Sequence, residues 1–156
     1  MPSVKPEGFM KVRTLLVFAA TLLIAAGGPP SNASDNDLEK LQGTWVAISL
    51  EADGHKAPVD AVKGFKIFIK SDRIIFTPES DKRESSFKLD MSKRPKEIVI
   101  TPLDGPHKGD PQRGLYSLEK GRLTLCINNE TKHPPTGFLT TPGDGLRLLV
   151  LKRQIP

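Results

Sequence analysis

A single cysteine, Cys126, in a chain of 156 residues excludes an internal disulfide. Stability must therefore come from core packing and strand pairing rather than covalent cross-links. Aromatic residues make up only 6 % of the chain, with one Trp and one Tyr, so few large groups are on hand to fill a lumen or grip a ring-shaped ligand. The three histidines, His55, His107 and His133, stand far apart in loop-like sequence. Metal sites show clustered spacings such as C-x-x-C or His at i and i+4, so neither a metal nor another cofactor is expected. His107, between Asp104 and Asp110, comes nearest to a cluster, and turn chemistry accounts for those residues equally well. No glycine-rich loop follows a strand and opens a helix, which leaves a nucleotide site without footing. No nucleophile, base and acid fall into a telling spacing, and the chain is not expected to be an enzyme. The longest apolar run, Thr14 to Ala26, has thirteen residues, fewer than the roughly 20 that a bilayer-crossing helix needs.

That run has a different meaning in context. Lys11 and Arg13 precede it, and Ala25-Ala26-Gly27 or Ser31-Asn32-Ala33 follows with small residues, the order of a secretory signal peptide. Residues 1–33 are read as a cleaved signal and residues 34–156 as one exported domain, periplasmic or extracellular, with no stable membrane insertion after cleavage. The domain keeps 20 basic and 17 acidic residues, a net charge of +3. So mild a balance suits a soluble domain and makes no case for nucleic acid as a partner. At this size about two-thirds of the unfolded surface is buried on folding.

Ser34 to Gln42 reads as a short helix, capped by Ser34, favoured by Asp35 and Asp37 near its positive end, and stopped by Gly43. Leu38 and Leu41 share one face of it. Beyond Gly43 the pattern changes to period two. Strands are predicted at 44–51, 65–70, 73–77, 85–90, 97–101, 114–119, 122–127 and 146–152, with turn signals at Asp53-Gly54, Ser71-Asp72 and Lys120-Gly121. Eight short strands without a crossover helix predict an all-β fold, an eight-stranded up-and-down antiparallel barrel behind a short N-terminal helix. At about eight strands a barrel is filled by side chains or holds one small ligand. The first strand leaves one question open. Trp45, Ala47 and Ser49 share one face and Val46, Ile48 and Leu50 the other, so an inward Trp45 turns the larger aliphatic set outward unless a bulge switches faces.

Gly43-Thr44-Trp45 resembles the Gly-x-Trp start of lipocalins, in which the strand-one Trp packs across the barrel base near a C-terminal Arg. The resemblance implies that Gly43, Trp45 and Arg153 close the barrel, with Arg153 stacked on the indole. Leu41-Gln42-Gly43-Thr44-Trp45, Asp53-Gly54, Arg94-Pro95-Lys96, Gly114-Leu115-Tyr116, Lys132 to Phe138 and Leu148-Leu149-Val150-Leu151-Lys152-Arg153 together resemble an exported domain family. That family is abundant in planctomycete bacteria and placed near lipocalin-like folds. It implies fold and export, and brings no activity with it.

Trp45, Phe65, Ile67, Phe87, Leu89, Tyr116, Leu123 and Leu125 are expected to line the interior. Of these, Trp45, Phe65, Ile67, Phe87, Tyr116 and Leu125 are the candidate ligand contacts, with the Tyr116 hydroxyl as polar handle. Leu123, Leu125 and Ile127 share a face, so Cys126 points the other way. It is either a small hydrophobe under the loop that follows or a thiol able to pair between chains; a monomer is expected, with Cys126 the route to a dimer. Two functions follow. An internal cavity favours a carrier of a small apolar or amphipathic ligand. A filled core with apolar loops at 104–111 or 128–145 favours a structural or interaction module that binds an envelope protein or polysaccharide.

Overall fold

The computed structural model describes residues 33–77, 82–129 and 133–155. The segment read as an export signal lies outside them except for Ala33, and the side chains of Ser34 and Asp35 fall outside as well. Helix α1 (Ala33–Leu41) leads into strand β1 (Gly43–Ala52). A two-residue strand, β2 (His55–Lys56), and a single helical turn, α2 (Val59–Val62), follow. Strands β3 (Lys66–Lys70), β4 (Arg73–Thr77), β5 (Arg83–Asp90), β6 (Glu97–Pro102), β7 (Gln112–Glu119), β8 (Arg122–Asn128) and β9 (Leu146–Arg153) complete the chain.

From β3 onward each strand pairs antiparallel with the next, and β9 returns to pair with β1, which also pairs with β3. Eight strands thus close into a barrel, with β2 attached only to the end of β1. Closure leaves no long unpaired edge to template aggregation. The tight turns have the backbone that right-twisted hairpins demand. Asp53 and Gly54 have φ of 50° and 73°, Lys120 and Gly121 of 48° and 74°, the pattern of a type I′ turn.

A bulge resolves the first strand. Ala47 lies opposite Leu151 and Ser49 opposite the adjacent Val150, so Ile48 is an extra residue with no partner in the β1–β9 ladder. Ile48 is 45 % exposed, whereas Trp45 and Ala47 before it are buried. Past the bulge the inward set becomes Leu50 and Ala52, opposite Leu149 and Arg147. One extra residue thus lets both Trp45 and Leu50 face the interior.

The two ends of the barrel are filled differently. At the end covered by α1, the inward residues Trp45, Ile67, Ile69, Ile74, Phe87, Ile98, Tyr116, Leu123, Leu125 and Leu151 are buried together with Leu41. The void among them measures about 10 Å³, room for no more than one water. At the opposite end Ala52, Ser85 and Pro102 stand between the larger inward residues, and the lumen opens. There β1 has left β3 for β2 and β9, and α2 sits beside β1 with Val62 buried.

Candidate functional site

Carbonyl groups at the C-terminal end of α1 and just past it have no helical partner to come; Gln42, which follows the helix, serves two of them and the barrel three. The Gln42 side chain donates through Nε2 to Leu38 O (2.7 Å) and its backbone N–H to Glu39 O (3.2 Å). Arg153 Nη2 donates to Lys40 O, and Arg153 Nη1 to Gln42 O at 2.7 Å. Trp45 Nε1 donates to Leu41 O at 2.8 Å. The Arg153 guanidinium lies 4.4 Å from the centre of the Trp45 ring, within the range of a cation–π contact. Gly43 is required here twice over: its φ is 112°, and a Cβ would sit 3.2 Å from Arg153 Nη1. Gly43, Trp45 and Arg153 therefore meet in one cluster that ties the helix to the first and last strands.

A second tie is polar. Asp37, 7 % exposed, accepts through Oδ2 from Tyr116 Oη (2.9 Å) and from Lys96 Nζ (2.7 Å). Lys96 Nζ also lies 5.8 Å from the Tyr116 ring centre. Burial, then the bond to Asp37, pushes the Tyr116 phenol well above its usual range, so it remains a donor at any physiological pH. Asp37, expected to favour the helix dipole, also anchors α1 on β7, and the Arg94-Pro95-Lys96 stretch delivers its cation.

The open end is the candidate site. A cavity of about 690 Å³ is lined by Leu50, Phe65, Phe76, Ile127 and Leu149 on its walls, with Ala52, Ser85 and Pro102 between them. Its rim carries Arg83, Asp104, Pro106, His107, Gln112, Asn129 and Arg147. A volume in this range suits one ligand of drug or lipid size, and walls of this kind with a few polar groups are what such sites use. The polar groups are linked. Asn129 Oδ1 accepts from Arg147 Nε (3.0 Å) and Nη1 (3.3 Å), while its amide nitrogen donates to Gln112 Oε1 (3.2 Å), the orientation that satisfies both ends. Asp104 Oδ2 accepts from the Glu84 backbone N–H (3.1 Å). A Cβ at Gly105 would meet Arg83 Nη1 at 2.3 Å, so the rim loop packs onto that guanidinium. No family model, curated protein or solved structure matches this chain.

Of the residues expected to contact a ligand, Phe65 lines this cavity. Phe87, Tyr116 and Leu125 surround the small void of the filled end, and Trp45 and Ile67 are buried in the same core. The rim cations Arg83 and Arg147 were not among the expected contacts. Alternation contained the signal: Arg147 lies two positions before the inward Leu149, and Arg83 two before Ser85. His107 joins the rim, His55 lies in β2 with Nδ1 2.7 Å from Asp53 O, and His133 lies in the β8–β9 connection. Among the described residues, no three His, Cys, Asp or Glu side chains gather closely enough to hold a metal ion, and no helix is long and apolar enough to cross a membrane.

The β8–β9 connection packs on the outside of the barrel. Thr140 is buried, donates to Glu51 Oε1 and accepts from Gly54 N at 3.0 Å. Beneath this segment Cys126 is fully buried beside the Leu139 backbone, opposite the equally buried Leu115. Burial, then the charge of Asp144, pushes its thiol up to about 11, which keeps it protonated and weakly nucleophilic.

Proposed function

We propose that this chain is an exported, non-enzymatic, lipocalin-like carrier, periplasmic or extracellular, that holds one small apolar or amphipathic ligand in the open half of its barrel. The observation that supports this reading most is the division of the interior. One end is packed to a residual void of about 10 Å³ and the other keeps about 690 Å³. Leaving aliphatic and aromatic walls around so large a space forgoes packing that the filled end achieves. A ligand that covers Leu50, Phe65, Phe76, Ile127 and Leu149 restores it. The filled end is the foundation of this arrangement, holding strand ends in place so that the open end keeps its shape without a disulfide.

Native mass spectrometry of the protein isolated from its own cells tests the reading. A reproducible adduct on the wild type, absent from Leu50→Trp, supports it, because the larger side chain occupies the open half and leaves the filled end untouched. An adduct that persists in Leu50→Trp, or a protein unable to take up any apolar probe, refutes it. The second reading, an envelope module that binds protein or polysaccharide through its loops, draws on Leu139, which is 68 % exposed in the β8–β9 connection.

A further inference from the structure

The cavity has walls and a rim of different chemistry, and the difference narrows the ligand. Building on the reading of the open half as a ligand site, we propose that its occupant is an anionic amphiphile with a single apolar chain. The chain lies against the walls, and the head group rests on Arg147 at the rim.

Depth and polarity run together. Leu149 and Ile127 are buried, and Leu50, Phe65 and Phe76 are half-buried around them. Toward the mouth the inward positions turn polar in register: Leu149 is followed outward by Arg147 on β9, Ile127 by Asn129 beyond β8, and Ser85 by Arg83 on β5. A ligand that satisfies both zones must be apolar along most of its length and polar at one end.

The sign of that end follows from the charges that line the cavity. They are two arginines and one aspartate, and the aspartate already accepts from the Glu84 backbone. Arg147 is in none of the ion pairs among the described residues, which join Arg73 to Asp72 and Glu84, and Lys96 to Asp37. It is nevertheless held in place. Nε and one Nη1 hydrogen are taken by Asn129, which Gln112 braces from the other side. That leaves about three of its five N–H donors for a ligand. Across the β1–β9 ladder its neighbour is Ala52, too short to cover the guanidinium. A fixed planar donor without a carboxylate partner, at the edge of an apolar space, is suited to a carboxylate or phosphate head. A cationic head would meet the Arg147 guanidinium, and a neutral one would leave that charge unmatched.

Titration calorimetry with four probes of equal chain length reads the head-group preference directly: laurate, dodecyl phosphate, lauryl alcohol and dodecyltrimethylammonium, each kept below its micelle concentration. At least one of the two anions is expected to bind the purified protein roughly tenfold or more tightly than the alcohol or the cation, and the ratio between the two anions identifies the head. In Arg147→Gln the preference for the anion should collapse while the alcohol binds as before; in Arg147→Glu it should pass to the cation. Because each ratio is read within one protein, a change in overall stability does not mimic the result. Equal binding of all four probes, or an anion preference that survives Arg147→Gln, overturns the head-group inference and leaves the carrier reading standing. Failure of every probe to bind overturns both.

Discussion

Replacing Arg153 with Met should unfold the closed end first, and the structure gives the size of the effect. The substitution keeps an apolar chain of similar reach and removes three things: the bond to Gln42 O, the bond to Lys40 O and the contact with the Trp45 ring. Each hydrogen bond from a charged donor contributes on the order of 1.5 kcal/mol, taken low because Arg153 is half-exposed and water can reach the carbonyls. The ring contact adds roughly 1 kcal/mol at partial burial. The sum is about 4 kcal/mol, with non-additivity of similar order to any single contribution. For a domain of this size it corresponds to a fall in Tm of roughly 15 °C. Urea unfolding followed by fluorescence is well suited, since Trp45 is the only Trp and sits inside the affected cluster. Arg153→Lys keeps the charge but not the fork that spans two carbonyls, and should recover less than half of the loss. Lys152→Met, one residue earlier on the exposed face, should change stability by about 0.5 kcal/mol or less. A loss below roughly 1 kcal/mol for Arg153→Met, or one no larger than for Lys152→Met, refutes the assignment of Arg153 as the tie between helix and barrel.

Other perturbations follow from the same contacts. Lys96→Met strands a nearly buried carboxylate with only the Tyr116 hydroxyl; chemical denaturation should show a loss of about 2 kcal/mol, partly restored by adding Asp37→Asn. Gly114→Ala places a Cβ 2.6 Å from Cys126 O, so β7 and β8 must separate. A loss of roughly 2 kcal/mol is expected in the same assay. Cys126 links stability to pH. Its thiol ionises near 9 when unfolded and at about 11 when folded, so between those values the unfolded state binds fewer protons and stability falls as pH rises. The fall should be shallower in Cys126→Ala, and the native thiol should resist aromatic disulfide reagents until the protein is denatured.

How much of this could be read from residues alone depends on whether a signal was local. Period-two alternation, the three turn dipeptides and the absence of a crossover helix were enough for an antiparallel eight-stranded barrel, because strand period and turn backbone are set by neighbours in sequence. The β1 bulge was legible only as a conflict. Trp45 and Leu50 sit on opposite faces of any regular strand, and the pairing of Ala47 with Leu151 and Ser49 with Val150 resolves it through a partner a hundred positions away. The two-residue β2 fell below the length at which a pattern can be seen. Asp37 shows the limit of local reasoning most clearly. Its place near a helix start accounts for it by charge alone, yet it is buried against Tyr116 and Lys96, both far along the chain. The candidate site escaped for a related reason. Trp45, Phe87 and Tyr116 attract notice as large groups, but they fill the closed end, and the cavity persists where Ala52, Ser85 and Pro102 stand between its aliphatic and aromatic walls. Arg83, Gln112, Asn129 and Arg147 look like solvated strand ends until closure of the barrel brings them around one mouth.

The barrel has a filled end and an open end, and the open end is the one proposed to hold a ligand. Methyl NMR of labelled protein titrated with laurate tests it most directly. The methyl resonances of Leu50, Ile127 and Leu149 should shift together with saturation, while those of Ile69, Ile74, Ile98 and Leu123 hold still around their small void. Shifts confined to Leu139 and other outer-surface methyls, or none at all at saturating laurate, would contradict it.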